Sequence, residues 1–350
     1  MGTALRNFWY LAVPSERLRR GKTVAVTLLG EPVLIGRNRD GAIFAFLDLC
    51  PHQGMPLRYA TFSEGTLRCC YHGWKFRVED GRCTEIPSLA TNRTVIDSPR
   101  FNLRAYPCRE VQGNIWVFMA LRDNDVTAPA TLPPVPTVPG FGDAVPQVTT
   151  TELFPCDADQ AAIGFVDPAH PPFVHTSRWW KSKSAALRLK EKHYEPTALG
   201  FRMTRHGLQD GATPYRLLGR NVAVEITVQL PGLRIEHILG DRHSAGVLTA
   251  ITPVDATTTV VHCCVYWSMR WLAPVKPIAR RLARDFLRQD RDIAVKLRDK
   301  AAFAPPLLLV GDADAQIKWY FRLKKEFQDS VRERRPFVNP LRPKTLRWRS

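Results

Sequence analysis

The stretch Cys50-Pro-His52-Gln-Gly-Met-Pro-Leu-Arg-Tyr-Ala-Thr-Phe-Ser-Glu-Gly-Thr-Leu-Arg-Cys69-Cys70-Tyr-His72-Gly-Trp decides the reading of this chain. It holds Cys50-x-His52, a gap of sixteen residues, and Cys69-x-x-His72. Each half is a short Cys–His clamp beside a glycine, Gly54 or Gly73, that can close a tight turn. Two thiolates and two imidazoles can hold a tetrahedral zinc ion or an iron–sulfur cluster.

Zinc fingers pair like with like, as Cys-x-x-Cys and His-x(3–5)-His. Here each pair is mixed. Mixed pairs match a Rieske [2Fe–2S] cluster, in which two cysteines hold one iron and two histidines the other. The remaining cysteines fit this reading, because eight in 350 residues are too few for a disulfide scaffold. The adjacent pairs Cys69–Cys70 and Cys263–Cys264 do not look like staples either.

Working outward, residues 1–125 read as short strands and turns. Ala25 to Asp48 alternates apolar runs with the turn signals Gly30-Glu31-Pro32 and Arg39-Asp40-Gly41, and Gly113 to Leu121 is a further strand. Six prolines fall in the eighteen residues from Pro129 to Pro146, so 126–147 reads as an extended linker. Beyond it, residues 221–231, 233–240, 245–254 and 257–267 are β-branched runs between turn signals, as in an antiparallel sheet. Lys276 to Lys300 carries apolar residues at helical spacing, and Asp312 to about Val331 a weaker stripe. The expected class is α+β: an all-β domain over 1–125, the linker, an antiparallel sheet with C-terminal helices over 148–335, and a basic tail over 336–350.

At these residues the chain resembles the Rieske non-haem iron oxygenases, in the branch of vanillate O-demethylases and dicamba monooxygenases. The resemblance runs from Asn7-Phe8-Trp9-Tyr10 through Cys-Pro-His and Tyr-His-Gly-Trp into the second half. It implies a helix-grip-like second domain, Cys50, His52, Cys69 and His72 as cluster ligands, and a mononuclear Fe(II). Cys70 stands where the family usually has proline and reads as a spare buried thiol.

The iron is expected on Gly164-Phe-Val-Asp167-Pro-Ala-His170-Pro-Pro-Phe-Val-His175, which matches the family's Asp-x-x-His-x(4)-His. A face of two histidines and one carboxylate suits ferrous iron and oxygen activation. Pro171 and Pro172 argue against one regular helix across both histidines. The third ligand follows from the phase of the helix from Lys276. Its stripe through Ala283, Phe286 and Leu287 next points inward at Asp290, then resumes at Ile293, Ala294 and Leu297. A carboxylate on a buried face is costly unless paired or metal-bound. Asp285, Asp292 and Asp299 fall on the charged face. Asp167, three residues before His170, is expected to accept that histidine's second ring N–H. The resemblance adds that it links His170 to the cluster histidine, His72, of a neighbouring subunit in a homotrimer. Many relatives carry asparagine where this chain has Gly164.

The implied function is that of a terminal oxygenase acting on a small aromatic substrate with O2 and NAD(P)H-derived electrons, delivered by a ferredoxin or flavin reductase. Hydroxylation with O- or N-dealkylation is expected ahead of ring cis-dihydroxylation. A Rieske electron carrier without oxygen chemistry is the reading from another class, and it leaves Asp167, His170, His175 and Asp290 without a purpose. No Gly-x-Gly-x-x-Gly opens a nucleotide site. The net charge of +17 calls for an acidic partner, and it concentrates in Arg178–His206 and in Lys318–Ser350. That partner is read as the electron donor, with no nucleic acid and no membrane. No run approaches the roughly 18 apolar residues of a membrane span, and the N-terminus lacks a signal-peptide pattern, so a cytoplasmic protein is expected.

Overall fold

The computed structural model describes residues 4–90, 98–121, 132–175, 187–207, 217–300, 303 and 305–350. Part of the proline-rich stretch, residues 129–131, and the basic residues Arg178, Lys181 and Lys183 lie outside them. The chain divides into two units, one of Arg6–Thr137 and one of Met1–Leu5 with Val138–Ser350.

In the first unit β1 (Phe8–Pro14), β10 (Asn114–Met119) and β9 (Cys108–Val111) form one antiparallel sheet. A second holds β2 (Lys22–Leu28), β3 (Glu31–Arg37) and β4 (Ile43–Leu47). A third holds β5 (Thr61–Ser63), β6 (Thr66–Arg68), β7 (Lys75–Arg77) and β8 (Cys83–Glu85). The turn signals fall where the sequence puts them: Gly30 and Gly41 both have positive φ between paired strands. The indole N–H of Trp9 donates to the Pro133 carbonyl at 2.7 Å, so Pro133 is held on this unit.

The second unit is built on one eight-stranded antiparallel sheet. Its order is β11 (Val148–Phe154), β17 (Thr259–Trp267), β16 (Ser244–Pro253), β15 (Leu233–Leu239), β14 (Ala223–Gln229), β13 (Gly200–Gly207), β12 (Leu189–Thr197) and β18 (Lys344–Arg349). The last strand corrects an expectation. The end of the presumed basic tail pairs with β12 along its length, Leu346 and Trp348 buried and the alternating Thr345, Arg347 and Arg349 exposed. That is period-two patterning with a basic outer face.

Helix α3 (Lys276–Leu297) lies against β11 and ends in a 3-10 turn at Arg298–Lys300; α4 (Ala315–Arg332) follows. Both fall within the predicted spans. On α3, Leu287 and Ala294 are buried, and Glu152 of β11 pairs with Arg288 at 2.9 Å and Arg291 at 3.5 Å. Helix α1 (Ala158–Val166) starts where the Asp157 carboxylate caps the Gln160 N–H at 2.8 Å. Among the described residues no helix is long and apolar enough to cross a membrane.

Candidate metal centres

Two loops of the first unit are closed by the same backbone pattern. In one, the Cys50 N–H donates to the Met55 carbonyl at 2.8 Å and the Gly54 N–H to the Cys50 carbonyl at 2.9 Å. In the other, the Cys69 N–H donates to Trp74 at 2.9 Å and the Gly73 N–H to Cys69 at 3.0 Å. The fourth residue after each cysteine takes a left-handed turn, φ +71° at Gly54 and +72° at Gly73, which a side chain resists. The glycines of the motif therefore close the loops, and the unequal Cys–His gaps are two positions within one loop shape. Asp48, fully buried, accepts the Arg58 N–H at 2.6 Å and ties together the two ends of the first loop.

Cys50 and Cys69 are buried, 2% and 3% exposed, whereas His52 is exposed and His72 half-buried. Burial, with the Cys69 thiol alongside, pushes the Cys50 thiol up to about 12. The histidine rings lie 4.6 Å apart, and His52 stacks on Trp74 at 4.7 Å. An inner pair of thiols and an outer pair of imidazoles is the donor arrangement that a two-iron cluster with unlike ends requires. Cys70 is exposed, contrary to the sequence expectation, because it follows the inward-facing Cys69 on the outside of the loop. The buried extra thiol in this unit is Cys83, which the sequence pattern left unmarked.

In the second unit, His170 and His175 stand at the two ends of α2 (Pro171–Val174). The prolines do not separate the histidines but occupy the first positions of this helical turn, where no N–H is needed. Asp290 arrives from mid-α3. The distances are 3.3 Å from His170 Nε2 to His175 Nε2, 3.6 Å from His170 Nε2 to Asp290 Oδ1, and 3.4 Å from His175 Nε2 to Asp290 Oδ1. Donors about 2.1 Å from one ion and at right angles lie about 3 Å apart, so this set is near the spacing a single ion needs.

The histidine tautomers agree. His170 Nδ1–H donates to the Asp167 carbonyl at 2.9 Å and His175 Nδ1–H to Gln289 Oε1 at 3.2 Å, leaving both Nε2 lone pairs for a metal. Phe286 stacks on His175 at 3.6 Å. Burial lowers both histidines to about 4, keeping the imidazoles neutral, and raises Asp290 to about 7. The Asp290 side chain is 10% exposed against 57% for Asp292.

Asp167 departs from the expected geometry. The helix ends at Val166, and Asp167, preceding Pro168, is extended with ψ 118°. Its backbone carbonyl takes the His170 N–H. Its carboxylate lies 3.8 Å from that nitrogen and accepts the Ala169 N–H at 2.7 Å. Gly164 has open space around it, with nothing within 4 Å of an added Cβ. Sequence reasoning also missed Gln289 and Phe286 as supports of His175. It missed Asp159 of α1, whose carboxylate accepts from Tyr320 at 2.8 Å and from Lys324 at 2.5 Å, both on α4.

Residues 8–107 match the family model of the Rieske [2Fe-2S] domain. Chlorophyllide a oxygenase, chloroplastic, of Oryza sativa subsp. japonica is 29% identical over 212 residues, 61% of this chain and 35% of that protein. The chain thus spans about a third of the length of this relative. The phthalate 4,5-dioxygenase oxygenase subunit of Pseudomonas putida is 25% identical over 306 residues, 83% of this chain and 64% of that protein. The crystal structure of dicamba monooxygenase bound to dicamba superposes with a TM-score of 0.74 at 19% identity, covering 95% of this chain and 100% of that one. The crystal structure of dicamba monooxygenase with non-heme iron and dicamba superposes with a TM-score of 0.73 at 18% identity, and His170, His175 and Asp290 of this chain could hold a metal ion. The chain therefore carries a Rieske [2Fe-2S] domain over residues 8–107 and has the fold of dicamba monooxygenase.

Proposed function

We propose that the chain is the terminal oxygenase of a multicomponent system, hydroxylating or dealkylating a small, ring-bearing substrate with O2 and electrons from a ferredoxin or flavin reductase. The observation that carries this is the His170–His175–Asp290 face, two neutral imidazoles and one largely shielded carboxylate, with no fourth histidine, cysteine or acidic donor among the described residues. When bound, the cluster held by Cys50, Cys69, His52 and His72 supplies single electrons, and the ferrous ion supplies open positions for oxygen beside the substrate. The protein's part is positional. The Asp167 carbonyl and Gln289 fix the two ring tautomers, and Phe286 shields His175 from water. The Asp167 carboxylate, not spent on His170, is free to take the N–H of a cluster histidine from a neighbouring copy in a homotrimer. In this reading the protein works in the cytoplasm, its eight cysteines unpaired, and its domains are the Rieske unit and the iron-bearing unit.

The test is oxygen uptake with a surrogate reductase and a panel of O-methyl, N-methyl and unsubstituted aromatic compounds. Substrate-dependent uptake with formaldehyde release supports dealkylation, and a cis-diol product would redirect the reading to ring dihydroxylation. A cluster that cycles electrons with no substrate-dependent uptake would leave only an electron carrier.

A further inference from the structure

Strand register sets a row of side chains across the sheet of the second unit. Thr150 stands opposite Cys263, Cys263 opposite Thr249, and Thr249 opposite Arg234. Glu152, two residues from Thr150 and so on the same face, pairs with Arg288 and Arg291 of α3. This is the face that α3, the helix carrying Asp290, covers. Arg234 and Glu236, also two apart, therefore lie on the metal-site face. Burial dominates the low pKa of His170 and His175 and the high pKa of Asp290; the Arg234 charge adds to the first two effects and opposes the third.

Arg234 Nη1 donates to Glu236 Oε1, and the side chains are 30% and 16% exposed. Among the described residues neither side chain has another hydrogen bond or ion pair. The guanidinium keeps free N–H donors on its other edge, and the second oxygen of Glu236 keeps its lone pairs. An anionic ligand meets a guanidinium already neutralised and a carboxylate beside it, which repels it. A neutral group with an acceptor and a donor side by side fits both: its carbonyl takes an Arg234 N–H, and its own N–H donates to Glu236.

We propose that Arg234 and Glu236 anchor the substrate through a carboxamide- or lactam-type group, so that the site takes neutral amides in preference to carboxylates. This rests on the oxygenase reading above.

The test uses the protein carrying both cluster and iron, under nitrogen, with benzamide, benzoate and toluene as probes in equilibrium dialysis. Benzamide should bind about tenfold tighter than benzoate, the scale of one hydrogen bond to a charged group. Glu236→Gln removes the repulsion and frees the guanidinium, and should improve benzoate relative to benzamide by about tenfold. Arg234→Met should weaken benzamide by about tenfold and bring benzoate to the level of toluene or below. Iron content, cluster absorbance and melting temperature are recorded for each protein, and the near-isosteric Glu236→Gln keeps the test decisive if Arg234→Met does not fold. Benzoate binding as tightly as benzamide in the unmodified protein, or an unchanged ratio in Glu236→Gln, would overturn the proposal. A protein with normal cluster but no mononuclear iron would overturn the oxygenase reading instead.

Discussion

Gln289→Leu should weaken mononuclear iron without touching the cluster. His175 is 4% exposed, and its Nδ1–H has Gln289 Oε1 as its acceptor at 3.2 Å. Leucine is close in volume but leaves that N–H without a partner in a site sealed on one side by Phe286. The contact is a long, neutral hydrogen bond, so the lower part of the usual range for an orphaned buried donor applies, about 1 to 2 kcal/mol. The ring can escape part of that cost by moving its proton to Nε2, but this places the proton where the metal should bind. The loss therefore falls mainly on metal affinity, roughly 5- to 30-fold. Gln289→Glu, which offers a stronger acceptor and makes the ring more basic, should match or exceed the unmodified affinity. The assay is competition for Fe(II) against a chelator under nitrogen, with cluster absorbance as the internal control. Unchanged iron affinity in Gln289→Leu would refute the claim that this hydrogen bond sets the tautomer of an iron-bound His175.

Cys69→Ser should bleach the visible cluster spectrum and Cys70→Ser should leave it intact, because Cys69 is buried beside Cys50 and Cys70 faces solvent; a bleached but folded Cys70→Ser protein would reverse the assignment. Asp167→Ala should retain the cluster and most of the iron, since the backbone carbonyl holds His170, yet cluster oxidation in a single turnover should be slow. Fast oxidation there would leave the carboxylate as the acceptor for Ala169 alone. Turnover with the natural donor should fall as salt rises, while chemical reduction should not, if the net charge of +17 serves donor docking; equal salt dependence by both routes would detach the charge from that role.

What was legible in the sequence was local. Cys50 to Trp74 carries its chemistry in spacing, and the glycines that close the loops sit inside the motif. Asp290 was legible because helical phase is also local, and it separates Asp290 from Asp292 in the structure as in the sequence. The failures have physical causes. Lys344–Arg349 hides its alternation behind four basic residues counted from Arg342, so charge masked an edge strand. Cys70 was misread because adjacent loop residues can face opposite ways. Asp167 was expected to accept the His170 ring N–H with its carboxylate, but beside Pro168 it is extended, and its backbone carbonyl takes that hydrogen bond instead. The Arg234–Glu236 pair and the Gln289 contact depend on strand register and helix placement over long separations, and no local pattern encodes either.

The central claim is that this chain carries a mononuclear iron on His170, His175 and Asp290 beside its cluster. It is tested most directly by iron measured in excess of acid-labile sulfide, in the unmodified protein, Asp290→Ala and Asp292→Ala. A [2Fe–2S] cluster contributes equal iron and sulfide, so the excess reports the second site alone. The account predicts an excess of about one iron per chain in the unmodified protein and in Asp292→Ala, and none in Asp290→Ala with the cluster spectrum intact. Normal excess iron in Asp290→Ala, or none in the unmodified protein after loading with Fe(II), would contradict it.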